Sequence, residues 1–223
     1  MSKTPTRPIR LIAGLGNPGS QYDQTRHNAG FWFCDQLAAT LGCNFSLESR
    51  FFGEVAHARA QQLWLLKPQT FMNRSGQSIG ALARFYRIEP DEILIVHDEL
   101  DIPPGQLRLK FGGGLGGHNG LKDSSVHLGT HDYWRLRIGI GHPGDRNEVI
   151  HYVLKPPRRE EQVQVDEAIE RALGSWRELA AGEFTAAATR LNARPAKPKP
   201  ARTPKAETQA ADRPRPKPAP TGN

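Results

Sequence analysis

The chain of 223 residues has only two cysteines, Cys34 and Cys43, and they form no Cys-x-x-Cys pair. This low cysteine content excludes a disulfide-stapled secreted scaffold and favours reduced thiols. No run of 18 apolar residues occurs, and the first eight residues are not followed by the apolar stretch of a secretory signal. We therefore expect a soluble, cytoplasmic protein with no membrane partner.

The sequence also lacks the signatures of nucleophilic and metal-dependent hydrolases. It has no Gly-x-Ser-x-Gly elbow, and neither cysteine lies in a motif with histidine. His127 and His131 are four residues apart, but Leu128 stands where a zinc hydrolase carries a glutamate. The acidic cluster at 98–101 has no second carboxylate loop to match it. We expect no metal and no cofactor, and water as the nucleophile in any hydrolysis.

Positive charge is unevenly distributed along the chain. The formal net charge is +7, and residues 195–223 carry seven Lys/Arg but two Asp/Glu, so the preceding residues hold only +2. The same segment has eight of the 18 prolines and none of the large apolar residues, a composition typical of disorder. We predict a flexible extension at 1–8, one globular domain at 9–194, and a disordered tail at 195–223 that either attracts RNA weakly or only aids solubility.

Apolar runs alternate with helical patterns along the domain. A fully apolar run predicts a buried strand, and apolar residues three or four apart predict one face of a helix. The predicted strands are 9–15, 51–58, 63–68, 93–96, 107–111 and 136–141, and the predicted helices are 31–41, 75–86, 119–128 and 160–182. Because strands and helices alternate, we expect an α/β fold: a single domain with a mixed, largely parallel, twisted sheet flanked by helices.

The first strand leads into Gly14-Leu-Gly-Asn-Pro-Gly19, which satisfies the Gly-x-Gly-x-x-Gly pattern of dinucleotide-binding proteins. However, Pro18 removes a backbone N–H group that would bind pyrophosphate, and the polar residues 20–27 do not form a helix that packs on a sheet. A nucleotide-dependent oxidoreductase is therefore disfavoured. A tight turn that presents the side-chain amide of Asn17 accounts better for the motif.

Two residues from separate motifs form a candidate catalytic pair. His27 lies within Thr25-Arg-His-Asn-Ala-Gly30, and His97-Asp98 follows the apolar strand at 93–96. Successive side chains of a strand point to opposite faces, so only one of His97 and Asp98 can enter a shared pocket. We expect Asp98 to accept a hydrogen bond from His27, which would activate water as a general base.

Residues 112–120 contain six glycines, with His118 and Asn119 as the only polar side chains. The segment joins a strand to a helix, so its glycines permit a large ligand to approach the backbone closely. Lysines and arginines flank it at positions 110, 122, 135, 137 and 146. Their concentration beside the candidate pocket favours contacts with phosphate groups.

Six motifs, in this order and spacing, resemble those of bacterial peptidyl-tRNA hydrolases. They are the motifs at 14–19 and 25–30, Phe71-Met-Asn-Arg-Ser-Gly76, His97-Asp-Glu-Leu-Asp101, Gly116-Gly-His-Asn-Gly-Leu121 and Arg135-Leu-Arg-Ile-Gly-Ile-Gly-His-Pro-Gly144. The resemblance covers residues 9–192 and implies a monomeric α/β enzyme of translation. Such an enzyme cleaves the ester between a peptide and the 3'-terminal ribose of tRNA, so its partner would be the acceptor stem and 3' end of peptidyl-tRNA.

The resemblance also implies roles for individual residues. It makes His27 the general base, Asp98 the group that holds it, and Asn17 the residue that distinguishes blocked from free amino groups. It implies substrate contacts at Tyr22, Phe71, Met72, Asn73, His118 and Asn119, and tRNA phosphate contacts at Lys110 and Arg137, with Arg146 where the family commonly has lysine. A non-catalytic RNA-binding protein on the same fold is the alternative, although binding alone needs no poised base.

Overall fold

The computed structural model of this chain describes residues 5–193. The predicted basic tail at 195–223 lies outside the described residues, as do residues 1–4, so both terminal segments stay predictions. Residues 5–10 precede the first strand and form neither helix nor strand. In the described part of the chain, no helix is long and apolar enough to cross a membrane.

One mixed sheet organises residues 5–193. Its seven strands lie in the order β2-β3-β4-β1-β5-β7-β6, and their bounds are β1 Leu11–Gly14, β2 Ser46–Glu48, β3 Gly53–Ala58, β4 Leu63–Pro68, β5 Ile93–Glu99, β6 Leu107–Phe111 and β7 Trp134–Gly139. The central strands β4, β1, β5 and β7 are parallel, whereas β2, β3 and β6 pair antiparallel with their neighbours. The mixed, largely parallel sheet predicted from the sequence is confirmed.

Helices cover both faces of this sheet. Their bounds are α1 Ala29–Leu41, α2 Ser75–Tyr86, α3 Asn119–Leu128, α4 Val149–Val153, α5 Arg159–Gly174, α6 Trp176–Ala180 and α7 Phe184–Leu191. One apolar cluster joins α1 and α5–α7 to the sheet, and a second joins α2 and α3 to its other face.

Alternation along the central strands explains the two clusters. In β5, Leu94 and Val96 belong to the cluster with α1, whereas Ile93 and Ile95 belong to the cluster with α2 and α3. Since strand side chains alternate between faces, a strand buried on both faces must be apolar throughout. This is why the fully apolar run at 93–96 correctly predicts a central parallel strand.

Four predicted elements have the observed bounds, namely those at 63–68, 75–86, 107–111 and 119–128, and four others differ by one or two residues at one or both ends. Strand β5 is three residues longer than predicted, because His97, Asp98 and Glu99 still pair with residues 137–139 of β7. The predicted helix at 160–182 is wrong as a single element. It breaks at Ser175, whose φ of −100° and ψ of 8° leave the helical range, so that Trp176 and Leu179 turn into the core.

The strand order creates a crevice at the carboxyl end of β1. From β1 the chain crosses to the side of β4, and after β4 it returns to β5 on the other side of β1. Ligands of open α/β sheets bind where the strand order reverses in this way. The loops after β1 and β4 carry Asn17 and Met72 to this crevice, and the carboxyl end of β5 carries Asp98.

Candidate active site

His27 lies in a 3₁₀ turn, Arg26–Asn28, directly before α1. Arg26 anchors this turn: its buried guanidinium places Nη1 3.0–3.2 Å from three carbonyl oxygens within residues 152–156, and Nη2 2.7 Å from a Glu161 carboxylate oxygen. The turn is therefore tied to the segment between α4 and α5. Sequence reasoning assigned no role to Arg26, and the signal for one is only that an arginine precedes His27.

Asp98 meets His27 as predicted. Nδ1 of His27 lies 2.9 Å from Oδ1 of Asp98, whose side chain is only 2% exposed, while that of His27 is 15% exposed. Since a carboxylate only accepts hydrogen bonds, Nδ1 carries the proton that joins the pair, and the lone pair of the neutral ring is on Nε2. The pair therefore presents an oriented base.

The pKa values of both groups respond to this contact. Burial by itself would raise the pKa of the Asp98 carboxyl, but His27 and His118 outweigh that effect and hold the pKa far below its usual range. Burial likewise favours a lower pKa for His27, and the Asp98 carboxylate outweighs it, so the pKa of His27 is raised. Asp98 is thus a permanent anion that strengthens the base.

His118 shares the same carboxylate oxygen, a relationship that the sequence did not reveal. Its Nε2 lies 3.1 Å from Oδ1 of Asp98, and its ring centroid is 5.1 Å from that of His27. His118 also caps α3, because its Nδ1 accepts from the backbone N–H of Leu121 at 3.4 Å. With Nδ1 as acceptor, the proton of the neutral ring is on Nε2 and is donated to Asp98.

These three side chains are also the one group within residues 5–193 with the composition of a metal site, since their ligand atoms lie within 4.8 Å of one another. A metal ion would need a lone pair on each imidazole nitrogen that faces it. In His118, Nε2 carries a proton and therefore has no lone pair to offer a metal ion. The hydrogen bonds thus account for the cluster without an ion, although imidazole and carboxylate ligands would suit a divalent transition metal.

His97 takes no part in the pair, in agreement with the predicted alternation. It is fully buried, and its Nδ1 donates to the Asp98 carbonyl oxygen at 2.7 Å. Burial holds the pKa of His97 well below its usual value, so this ring is neutral. Nor is the Cys34 thiol available as a nucleophile, because burial raises its pKa to about 12.

Asn17 forms the other wall of the crevice. Its Oδ1 accepts from the backbone N–H of Met72 at 2.8 Å, and Asn28 fixes its backbone through two further hydrogen bonds of 2.9 and 3.0 Å. Because Oδ1 is occupied by a donor, Nδ2 is the group that Asn17 can offer to a ligand. This agrees with the predicted turn that presents an amide.

The remaining predicted substrate residues surround this wall at different depths. Met72 is buried against the start of α3, where a Cβ on Gly120 would lie 2.5 Å from its sulfur. Phe71 is 57% exposed, Asn73 is exposed in the 3₁₀ turn before α2, and Asn119 is exposed as the first residue of α3. Tyr22 is half-buried in the loop between β1 and the His27 turn.

The predicted phosphate contacts lie on the other half of the sheet. Lys110 is exposed on β6, Arg146 is exposed after β7, and Arg137 on β7 pairs its Nε with Glu99 at 2.8 Å. Arg135, in contrast, is buried and donates to the carbonyl oxygens of Gly112 and Gly114. The inclusion of Arg135 among the phosphate-facing residues was wrong, since its guanidinium is consumed in holding the glycine-rich loop.

The glycine motif at 14–19 does not resemble a dinucleotide site in three dimensions. The next α-helix begins only at Ala29, ten residues after Gly19, so the glycine turn does not lead directly into a helix as it does in a dinucleotide site. Gly14 and Gly30 instead allow close packing: a Cβ on Gly14 would lie 2.2 Å from the Gly30 carbonyl oxygen. The glycines therefore bring α1 and the His27 turn against β1.

Comparison with known proteins places these features in a family. The family model described as peptidyl-tRNA hydrolase matches residues 11–199. The peptidyl-tRNA hydrolase of Azoarcus sp. (strain BH72) is 73% identical over 189 residues, covering 85% of this chain and 87% of the relative. That of Aromatoleum aromaticum is 74% identical over 187 residues, covering 84% and 95%. The crystal structure of peptidyl-tRNA hydrolase from Acinetobacter baumannii superposes with a TM-score of 0.82 at 47% identity, covering 87% of this chain and 98% of that one.

Proposed function

The chain belongs to the peptidyl-tRNA hydrolase family, and from that premise we propose that it cleaves the ester between a peptide and the 3'-terminal ribose of tRNA by activating water with His27. The observation that carries the mechanism is the 2.9 Å contact between Nδ1 of His27 and Oδ1 of the buried Asp98. A histidine held in this way presents Nε2 as a base and needs no metal.

In the proposed reaction, Nε2 of His27 takes a proton from water as the water oxygen attacks the ester carbonyl carbon. Asp98 stabilises the imidazolium that forms, because its charge lies beside Nδ1. His27 then returns the proton to the ribose oxygen as the carbon–oxygen bond breaks, which yields free peptide and free tRNA. General base catalysis of this kind contributes about 10²–10⁴ in rate.

Side-chain amides supply the donors for the developing oxyanion in this proposal. Nδ2 of Asn17 is held in place because the Asn17 oxygen is bound to Met72. Asn73 and Asn119 are exposed beside the same wall and are free to contact a large substrate. Such preorganised donors act where charge develops, which is where they accelerate the reaction most. We place Tyr22, Phe71, Met72 and His118 around the terminal adenosine and the acyl group.

The RNA would approach from the side of β6 and β7, where Lys110, Arg137 and Arg146 lie. Phosphate contacts there would position the acceptor stem, leaving its 3' end over the crevice. We further propose that the enzyme is a monomer and acts in the cytoplasm, where translation leaves peptidyl-tRNA. The alternative, a non-catalytic RNA-binding protein, is disfavoured by the buried carboxylate that orients a base, since binding gains nothing from it.

The test is single-turnover hydrolysis of diacetyl-lysyl-tRNA with a chelator present. We expect cleavage by the native chain and a loss of about 10²-fold or more for His27→Ala, with little change in affinity for uncharged tRNA. His131→Ala is the matched control, because His131 is exposed and outside the crevice. Cleavage by His27→Ala at the native rate would refute the assigned base, and inhibition of the native chain by chelator would refute metal independence.

A further inference from the structure

A groove on the surface begins at the crevice and runs along α1. It consists of two adjoining hollows of about 330 and 710 Å³, the first of which is lined by Asn17 and Asn28. Asp23, Trp32 and Asp35 line both hollows, so the two are continuous across the Trp32 side chain. We call this surface, from Asn17 past Trp32 to Asp166 on α5, the Trp32 groove.

Trp32 is anchored in the middle of the groove by one hydrogen bond. Its indole Nε1 donates to the Asp23 carbonyl oxygen at 2.7 Å, and its ring is only partly buried. Val163, on α5, adds a 51% exposed apolar side chain to the far hollow. A fixed indole beside an exposed aliphatic side chain offers contact area to an extended chain at little entropic cost.

The charge of the Trp32 groove is negative. Four carboxylates line it against two cations, Lys67 and Arg159. Lys67 is already matched, because its Nζ lies 2.6 Å from Asp35 and 2.9 Å from Glu54. Asp23 and Asp166 therefore outnumber the one remaining cation, Arg159, and the net negative charge of the groove repels phosphate and attracts a positively charged chain.

The sign of the groove distinguishes it from the proposed RNA side, and its inner hollow also differs from that side in position. The inner hollow is formed by the loop after β1, by α1 and by β3 and β4, whereas Lys110 and Arg137 lie on β6 and β7. The outer hollow extends along α1 to α5, which packs against β7. In the strand order β3 and β4 are on one side of β1, and β6 and β7 are on the other. An acyl group that leaves the crevice through the inner hollow would therefore be directed away from β6 and β7.

We propose that the Trp32 groove binds the peptide portion of the substrate and favours peptides with lysine or arginine in the residues that precede the ester. This inference rests on the proposed function, since it assumes that a peptidyl ester occupies the crevice. It adds a specificity determinant outside the catalytic pair: the Trp32 ring contacts the peptide backbone and side chains, and Asp23 and Asp166 select cationic residues.

The experiment compares three substrates that share one tRNA and glycine at the ester: acetyl-glycyl-tRNA, acetyl-Lys-Lys-Lys-Gly-tRNA and acetyl-Glu-Glu-Glu-Gly-tRNA. For each enzyme, kcat/KM of a peptide substrate is divided by that for acetyl-glycyl-tRNA. For the native chain we expect the lysine peptide to exceed the glutamate peptide by about threefold to tenfold, which is the size of one or two partly exposed ion pairs. The ratio of the lysine-peptide value to the glutamate-peptide value, called the lysine/glutamate ratio below, should fall as salt is raised.

The matched variants are Asp166→Lys and Glu167→Lys, which change charge equally at adjacent exposed positions of α5. Only Asp166 lines the groove. We expect Asp166→Lys to reduce the lysine/glutamate ratio to about one and Glu167→Lys to retain the native ratio. Trp32→Ala should raise KM for both peptide substrates, and Trp32→Phe should have a KM much nearer to that of the native chain.

Each outcome has a distinct meaning. A native chain that fails to cleave acetyl-glycyl-tRNA would refute the proposed function itself. Cleavage of that substrate, with equal rates for the two peptides or with an Asp166→Lys ratio like the native one, would overturn the groove inference alone. If Asp166→Lys altered affinity for uncharged tRNA, the groove would be an RNA contact, and the inference would be wrong.

Discussion

Gly30 lies directly against Gly14: a Cβ on Gly14 would be 2.2 Å from the Gly30 carbonyl oxygen, and a Cβ on Gly30 would be 2.4 Å from both Leu15 N and Val96 O. The start of α1 therefore touches the backbones of β1 and β5 at once. This close packing brings the His27 turn, three residues earlier, to the side chain of Asp98. The geometry of the base thus depends on two positions without side chains.

Gly30→Ala is expected to destabilise the fold, because the three nearest atoms that its Cβ would meet are all backbone atoms that cannot rotate away. We expect a loss of about 1–3 kcal/mol in the free energy of unfolding, measured by urea denaturation. Gly174→Ala is the control, since a Cβ on Gly174, the last residue of α5, meets nothing within 4 Å. Equal stability of Gly30→Ala and the native chain would contradict the close packing.

Asp98→Asn is expected to shift the pH dependence of kcat/KM to lower pH. The base acts when His27 is neutral, so activity rises with pH through the pKa of His27, which the Asp98 carboxylate raises above its ordinary 6.5. Without that charge only burial remains, and burial lowers the pKa of the imidazole. The acid limb should therefore move down in pH, while the plateau falls by about 10²-fold or more because the ring is no longer oriented.

A pH–rate profile and an NMR titration of His27 measure the two effects of this substitution separately. Asp101→Asn provides the control, since Asp101 is exposed and forms no ion pair within residues 5–193. An acid limb that stays in place in Asp98→Asn would argue against the electrostatic role of the carboxylate. A plateau that stays at the native level would argue against its orienting role.

Arg135→Lys is expected to loosen the glycine-rich loop that leads to His118 and Asn119. The Arg135 guanidinium donates hydrogen bonds to the carbonyl oxygens of Gly112 and Gly114 at the same time. A lysine lacks the planar group that can donate in two directions. Hydrogen exchange in residues 112–118 should accelerate, and KM for diacetyl-lysyl-tRNA should rise more than kcat falls. Arg137→Lys keeps the hydrogen bonds from Arg135 to the loop and should leave hydrogen exchange in residues 112–118 unchanged. Similar exchange rates in the two variants would contradict the role of Arg135 in holding the loop.

Lys110→Ala and Arg137→Ala are expected to weaken tRNA binding in a salt-dependent manner. Removal of one cation that neutralises a phosphate should reduce the slope of log affinity against log salt by about 1. The measurement is a binding titration of uncharged tRNA over a range of salt concentrations. Arg177→Ala removes an exposed cation from α6 and should leave the slope unchanged; a uniform change in all three variants would show only a net-charge effect.

Much of the site could be predicted because its polar residues follow buried strands in the sequence. The apolar run at 93–96 had to be central, so the polar residues after it had to lie at a crowded strand end, and alternation allowed only one of His97 and Asp98 to reach a partner. His27, in the motif at 25–30, was the partner proposed from the residues, and the resemblance to a family implied the same pair. The 2.9 Å distance between Nδ1 of His27 and Oδ1 of Asp98 confirms the pairing that both arguments predicted.

Other features could not be predicted from the sequence because they depend on which loops meet in space. Arg135 reads as one more basic residue near a pocket, yet it is buried beneath the loop at 112–114. His118 reads as a substrate contact, yet it shares Oδ1 of Asp98 with His27. The break at Ser175 interrupts an amphipathic pattern that continues through it, because packing of Trp176 and Leu179 outweighs local helical preference.

The sequence by itself determined the α/β class, most of the strands and helices along the chain, and the residue types available for catalysis, since these follow from periodicity and side-chain chemistry. Only the tertiary structure decided that one carboxylate serves two imidazoles, and that residues of α1, α5 and the loop after β1 together form an acidic groove. The physical reason is that hydrogen bonding and charge act over a few ångströms. Residues far apart in sequence come within that range only after both faces of the sheet are packed.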